Sequence, residues 1–261
     1  MSISTEVIPI CALQDNYIWM FMDAMTRMAW IIDPGDAKPV LEALEKYNLQ
    51  LSGIFITHHH HDHSGGVKDL LRKYSSIPVY GSYLSPLSFI TDRIKEGDEI
   101  SCSNIILKAI EIPGHTLDHT AYVGNHWLFS GDTLFSIGCG KIFEGTADQM
   151  YRSLQKLSAL ADETKVFCGH EYTLANLRFA EHIEPDNASI KEKIRVITKP
   201  TLPSTIAEEK KLNPFLRCKD AAIIKAVENY ANQTLDTPVK VFAKLREWKN
   251  GLNTQWRHLK K

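Results

Sequence analysis

The first third of the chain alternates short apolar blocks with polar turns. Val7-Ile8-Pro9-Ile10 and Tyr17-Ile18-Trp19-Met20-Phe21, rich in aromatic and β-branched residues and separated by the turn Gln14-Asp15-Asn16, predict strands of a meander. Trp30-Ile31-Ile32-Asp33 predicts a third strand, closed by Pro34-Gly35. Asp36 can then cap a helix that places Val40, Leu41, Leu44 and Tyr47 on one face. Leu51-Ser52-Gly53-Ile54-Phe55-Ile56 reads as a buried strand, and residues 67–74 have helical spacing. Further strands are expected at Pro78-Val79-Tyr80, at Asp98-Glu99-Ile100, at residues 105–110 and 120–123, and at Trp127-Leu128-Phe129-Ser130, the later ones forming a second sheet.

Thr146-Ala147-Asp148-Gln149 has the form of a capping box opening a helix towards Ala161, and Val166-Phe167-Cys168 is one more strand ending at Gly169-His170. From Thr173 the period changes to helical. Leu174, Leu177, Phe179 and Ile183 mark one helix, and Ile190, Ile194 and Ile197 a second, before Pro200 and Pro203 break the chain. Asp220 is placed to cap a helix carrying Ile223, Ile224, Val227 and Tyr230, and Thr237-Pro238 to open a last one through Lys249. A boundary near residue 172 divides the chain into 1–172 and 173–261. The lack of any linker there implies that the helical part packs directly on the first.

At 261 residues, 44% hydrophobic and 23% charged, the chain can bury a substantial core. Its 30 basic and 31 acidic residues nearly cancel, so no global field draws it to nucleic acid or an anionic membrane. The opening Met1-Ser2-Ile3-Ser4-Thr5-Glu6 lacks the basic and apolar regions of a signal peptide, and no run approaches the ~18 apolar residues that span a bilayer. A cytoplasmic protein, expected to be a monomer, fits these features. Five cysteines (Cys11, Cys102, Cys139, Cys168, Cys218) without a Cys-x-x-Cys pair make poor disulfide material, so each is expected to be a reduced thiol. Cys168, two residues before His170, is the one placed for a metal contact.

What changes the picture is Thr57-His58-His59-His60-His61-Asp62-His63-Ser64-Gly65-Gly66, which crowds imidazoles and a carboxylate just after a predicted strand. Neutral imidazole nitrogen and carboxylate oxygen are ligands for zinc and similar ions, and a turn at a strand end can aim alternate residues into one cavity. His58-x-His60-x-Asp62-His63 is therefore read as a metal site. A frame through His59, His61 and His63 also alternates along an extended chain, and spacing alone does not separate the two. An expression tag would sit at a terminus, and this run is internal.

With this spacing, followed in order by Pro113-Gly114-His115-Thr116, Ser130-Gly131-Asp132-Thr133, Gly138-Cys139-Gly140-Lys141, Gly169-His170-Glu171-Tyr172-Thr173 and Arg246-x-x-Lys249, the sequence resembles the metallo-β-lactamase-fold hydrolases, and among them hydroxyacylglutathione hydrolase, also called glyoxalase II. The resemblance covers nearly the whole chain. It implies an α/β protein, an αββα metallo-β-lactamase sandwich with a C-terminal α-helical domain that binds substrate. It also implies two divalent metal ions per chain, zinc first, with iron and manganese suited by the same ligands. His58, His60 and His115 would hold one and Asp62, His63 and His170 the other, with Asp132 bridging and a hydroxide between the metals as nucleophile. His59 and His61 are left to orienting or solvent-facing positions, and His119 is a further candidate outside the family pattern. His126, His182 and His258 lack metal-like spacing, and Asp33 and Asp36 are read as loop-closing.

The implied reaction is hydrolysis of an S-(2-hydroxyacyl)glutathione such as S-lactoylglutathione to a 2-hydroxy acid and glutathione, the second step of methylglyoxal detoxification. Asp62 and Asp132 are the carboxylates nearest the chemistry. Lys141, Arg246 and Lys249 match positions that bind the glycine carboxylate of glutathione, and Tyr172 another contact. Phe143 stands where family members carry tyrosine, so one hydroxyl contact is absent. Without the resemblance, Arg246 and Lys249 would read as a solvated helix face. Rival readings are a lactonase, β-lactamase or other thioesterase on the same fold, a persulfide dioxygenase with one iron, and a non-catalytic metal-binding protein. The Arg246-x-x-Lys249 helix and the complete ligand set weigh against them.

Overall fold

The computed structural model describes residues 6–23 and 25–258, with side chains through residue 252. Most of the opening segment and the side chain of His258 lie outside the described residues. Strands β1 (Val7–Ala12), β2 (Asn16–Asp23) and β3 (Met28–Ile32) form the antiparallel meander, with Cys11 opposite Tyr17 and Trp19 opposite Ile32. Strands β4 (Gln50–Phe55), β5 (Val79–Ser82) and β6 (Asp92–Ile94) then add in parallel, giving a six-stranded sheet in order β1-β2-β3-β4-β5-β6. Parallel neighbours require crossovers, and helices supply them. Helix α1 (Ala37–Tyr47) links β3 to β4, and the single turn α2 (His61–Ser64) with α3 (Val67–Lys73) links β4 to β5. Asp36 caps α1, accepting from Lys38 N at 2.9 Å, while Val40 and Leu44 are buried and Tyr47 lies at the exposed edge. The edge strand β6 escapes a periodicity reading because it is three residues long and only Ile94 is buried.

The second sheet runs β14-β13-β10-β9-β8-β7, built from β7 (Glu99–Cys102), β8 (Ile105–Glu111), β9 (Thr120–Gly124), β10 (Trp127–Gly131), β13 (Lys165–Cys168) and β14 (Ser204–Thr205). Between β10 and β13 come a small hairpin, β11 (Leu134–Phe135) with β12 (Gly138–Cys139), and helix α4 (Ala147–Ser158). The α4 capping box is complete: Gln149 N donates to Thr146 Oγ1 at 3.2 Å and Thr146 N to Gln149 Oε1 at 2.9 Å.

Aromatic side chains fill the space between the sheets, with Phe21, Trp30, Phe55, Tyr122, Phe129 and Phe167 in one buried cluster. The outer face of the first sheet is covered by α1 and α3, and that of the second by α4 and the C-terminal helices. These layers make the αββα sandwich. The C-terminal part comprises α5 (Thr173–Ile183), α6 (Ala188–Val196), α7 (Ile206–Leu212), α8 (Ala221–Ala231) and α9 (Pro238–His258).

Further details differ from the sequence reading. Strand β14 and helix α7 follow Pro203, and β14 lends an edge strand to the second sheet by pairing Ser204 with Val166. Asp220 stands at the N-cap of α8 but its side chain makes no cap bond, accepting instead from Arg217 Nε at 2.8 Å. Helix α9 continues past Lys249 to His258.

Candidate metal centre and substrate pocket

The turn after β4, an interior strand, places the histidine run at that strand's C-terminal end. Thr57 is fixed to Asp33 twice, its N donating to Oδ1 and its Oγ1 to Oδ2, both at 2.7 Å. Ser64 Oγ then donates to the His60 carbonyl at 2.9 Å, closing the turn. The loop after β3 lies so close that a Cβ on Gly35 would collide with the Asp62 carbonyl, which only glycine avoids.

From this turn and from three other strand ends, imidazoles and carboxylates converge. His60 Nδ1 lies 3.0 Å from His58 Nε2 and 3.1 Å from His115 Nε2. In the second group, Asp62 Oδ2 lies 3.6 Å from His63 Nε2 and 3.4 Å from His170 Nε2. Asp132 faces both, with Oδ1 3.3 Å from His63 Nε2, and Oδ2 3.3 Å from His170 Nε2 and 3.6 Å from His115 Nε2. Gly169 makes room for it, since a Cβ there would meet Asp132 Oδ1 at 2.5 Å.

The donors fit divalent metal ions. Each group of three offers ligand atoms within 4.8 Å of one another, and His63 Nε2 and Asp132 Oδ1 are buried without a hydrogen-bond partner, which is costly unless a cation is what they face. Burial pushes the pKa of His58, His60 and His115 down, so the first group is neutral imidazole ready to donate lone pairs. In the second group burial works the same way on His170, but Asp132 and Asp62 prevail and raise it to about 10. Carboxylates that stabilise an imidazolium there suit a metal dication in its place.

Outward-facing ring nitrogens are also tied down. His63 Nδ1 donates to Asp33 Oδ2 at 2.9 Å, His170 Nδ1 to Asp15 Oδ1 at 2.8 Å, His115 Nδ1 to the Lys141 carbonyl at 2.7 Å, and His58 Nδ1 meets Thr57 Oγ1 at 3.0 Å. Such partners fix ring tautomer and direction. Asp33, read from sequence as loop-closing only, does both jobs. Asn16 Nδ2 donates to Asp62 Oδ2 at 3.1 Å, and the buried His119 stacks on His58 while its Nε2 accepts from Asp132 N at 3.0 Å. Asp15, Asn16 and His119 thus join the site as orienting groups. The hairpin turn Gln14-Asp15-Asn16 carries no sequence signal for that role; adjacency to His58 hints only at Thr57.

His59 turns away from the donors, 2.9 Å from Asp118 and 3.4 Å from Glu144, and His61 is exposed. Cys168 Sγ contacts the His170 carbonyl at 3.5 Å and joins none of the donor groups among the described residues.

The metal groups open into a cavity of about 780 Å³ that reaches the C-terminal helices. Arg246 and Lys249, expected on the last helix, line it from α9, yet they are only 4% and 5% exposed. Arg246 Nη1 donates to the Cys139 carbonyl at 2.9 Å, and Lys249 Nζ to Asn176 Oδ1. No carboxylate among the described residues pairs with either. Burial, and then Arg246, pushes the Lys249 pKa well below its usual range. Lys141 lines the same cavity, and Tyr172 stacks flat on His170 with ring centroids 4.7 Å apart. Phe143, 63% exposed, sets its ring edge-on to His60 and His115.

A four-layer sandwich with histidines and aspartates gathered at its strand ends defines a metallo-β-lactamase-type protein, and the Metallo-beta-lactamase superfamily model matches residues 24–170. The remainder, residues 171–252, matches the model described as Hydroxyacylglutathione hydrolase C-terminus. The chain belongs to the hydroxyacylglutathione hydrolase family within that superfamily. It is 48% identical to the hydroxyacylglutathione hydrolase of Alkalilimnicola ehrlichii over 94% of its own length and 99% of the relative's. With that of Vibrio campbellii the identity is 46%, over 94% and 98%. Among solved structures, ETHE1 from Myxococcus xanthus superposes with a TM-score of 0.65 at 26% identity, covering 95% of this chain and 98% of the other.

Proposed function

We propose that the protein hydrolyses S-(2-hydroxyacyl)glutathione thioesters, S-lactoylglutathione first among them, to a 2-hydroxy acid and glutathione. One observation carries the reading: two clusters of metal-ligating side chains, with Asp132 facing both, open into the same cavity as two buried basic side chains that have no carboxylate partner among the described residues. His58, His60 and His115 would hold one ion, and Asp62, His63 and His170 the other. Bound there, two divalent cations would supply Lewis acidity, lowering the pKa of a water from ~15.7 towards ~7 and polarising the acyl carbonyl. Zinc, iron and manganese all suit imidazole and carboxylate.

The chain's own residues do the rest. Arg246 and Lys249, out of water and fixed by Cys139 and Asn176, take the glycine carboxylate of the substrate, with Lys141 beside them. Tyr172 walls the cavity beside His170, and Phe143 walls it without offering a hydroxyl. Asp132 and Asp62 would offset the positive charge of bound cations. The leaving thiol has a pKa near ~8.5, so it departs as thiolate without a strong general acid. We assign catalysis to a domain over 1–172 and substrate binding to a helical domain over 173–261, in a cytoplasmic monomer. Among the described residues no helix is long and apolar enough to cross a membrane.

The test follows loss of thioester absorbance with S-lactoylglutathione and with a thioester lacking the glutathione peptide, alongside elemental analysis. Two metals per chain, strong preference for the first substrate and no turnover after exhaustive chelation are expected. Activity that survives chelation, or a single iron per chain, overturns the reading.

A further inference from the structure

Glutathione thioesters carry two carboxylates, one on the glycine end and one on the γ-glutamyl end, and the buried pair Arg246 and Lys249 accounts for one. Another cation lines the cavity. Arg178 lies on α5, three residues after Ala175, so the two share a helix face, and both line the pocket and are exposed. Among the described residues Arg178 makes no ion pair. The cavity's carboxylates, Asp15, Asp62 and Asp132, are by contrast all engaged with histidines of the metal groups. Helix α5 thus carries both contacts: Asn176 binds Lys249 from its buried face, and Arg178 lines the same cavity from its exposed face. An extended tripeptide separates its ends by roughly 10 Å, a span that lets one carboxylate reach the buried pair while the other stays near solvent.

We infer that Arg178 binds the γ-glutamyl carboxylate of the substrate and so makes the protein selective for the whole tripeptide over its cysteinylglycine portion. This rests on the glutathione-thioester reading above. The guanidinium offers a planar fork to a carboxylate, and because the site is wet the contact is modest in strength.

The test compares Arg178→Met with the unaltered, metal-loaded protein on S-lactoylglutathione and on S-lactoylcysteinylglycine, which lacks the γ-glutamyl residue. For S-lactoylglutathione, KM should rise about fivefold with kcat unchanged, as expected for loss of one exposed charge pair. For the truncated substrate neither constant should move, and Arg178→Lys should recover part of the loss. Equal changes on both substrates, an unchanged KM for S-lactoylglutathione, or a fall in kcat alone would each overturn the assignment. Failure of the unaltered protein to hydrolyse either thioester would instead sink the reaction proposed above.

Discussion

Asp33 sits in the left-handed region with φ 54°, almost fully buried, and divides its oxygens between Thr57 and His63. One side chain thereby sets both the strand exit and a ring orientation. Asp33→Asn keeps the size but removes the full charge facing the imidazole, and orienting partners of this kind are worth about 10–100-fold in metal affinity. A competition titration with a chromogenic chelator measures that loss. Replacing His58 should strip metal in the same assay, whereas His59, held by Asp118 and Glu144, should retain nearly all of it when replaced. His58, His60, Asp62 and His63 were legible as candidates from their short spacing after a strand, whereas His115, Asp132 and His170, far apart in sequence, were reached only through the family resemblance. Asp15, Asn16 and Asp33 were not, because pairing of β2 with β3 and of β3 with β4 brings them in from distant stretches of chain.

The β11–β12 hairpin is the element on which the pocket hangs. Its connecting residue Ile137 has φ 57°, a costly conformation for a β-branched side chain, and its N–H donates to Glu209 Oε2 of α7 at 2.7 Å. Asn213 Nδ2 donates to the same oxygen and to the Gly138 carbonyl, both at 2.9 Å, and Asn176 Nδ2 to the Ser136 carbonyl at 2.8 Å. Burial pushes the Glu209 carboxyl up to about 7 against the pull of these donors. Because the folded chain takes up this proton more readily than the unfolded chain, the stabilisation is complete below the ordinary glutamate pKa of 4.5 and is lost as pH rises through about 7. Glu209→Gln keeps an acceptor oxygen and cannot ionise. It should match the parent protein in thermal melts at pH 5 and exceed it at pH 8.5, by on the order of a few kcal/mol. Helix α7 was hard to read because it is a short helix, only seven residues, lodged after two prolines, where the periodic signal is brief.

Across the whole molecule, one buried cluster joins Ile112, Met150 and Leu154 to Phe215, Phe242 and Leu245. The helical part therefore completes the second sheet's outer layer, which its direct continuation from Gly169-His170-Glu171 without a linker had suggested. Cutting the chain after residue 172 would uncover the α4 face and remove β14. The fragment 1–172 should accordingly be insoluble or lack a cooperative melt, as solubility and near-UV circular dichroism would reveal. Alternating apolar blocks had already implied two sheets, and the family resemblance their stacking. The contribution of a strand from beyond residue 200 was hidden, since Ser204-Thr205 has no apolar pattern of its own.

The paired cations Arg246 and Lys249 have a last consequence for handling the protein. Both side chains lie out of water with no carboxylate partner among the described residues, and burial pulls the Lys249 pKa down, so a small anion bound between them favours their charged forms and shifts the folding equilibrium by mass action. Sulfate, phosphate and the released tripeptide itself should all protect against heat and compete with turnover, so the choice of buffer salt sets both the apparent melting point and the apparent KM.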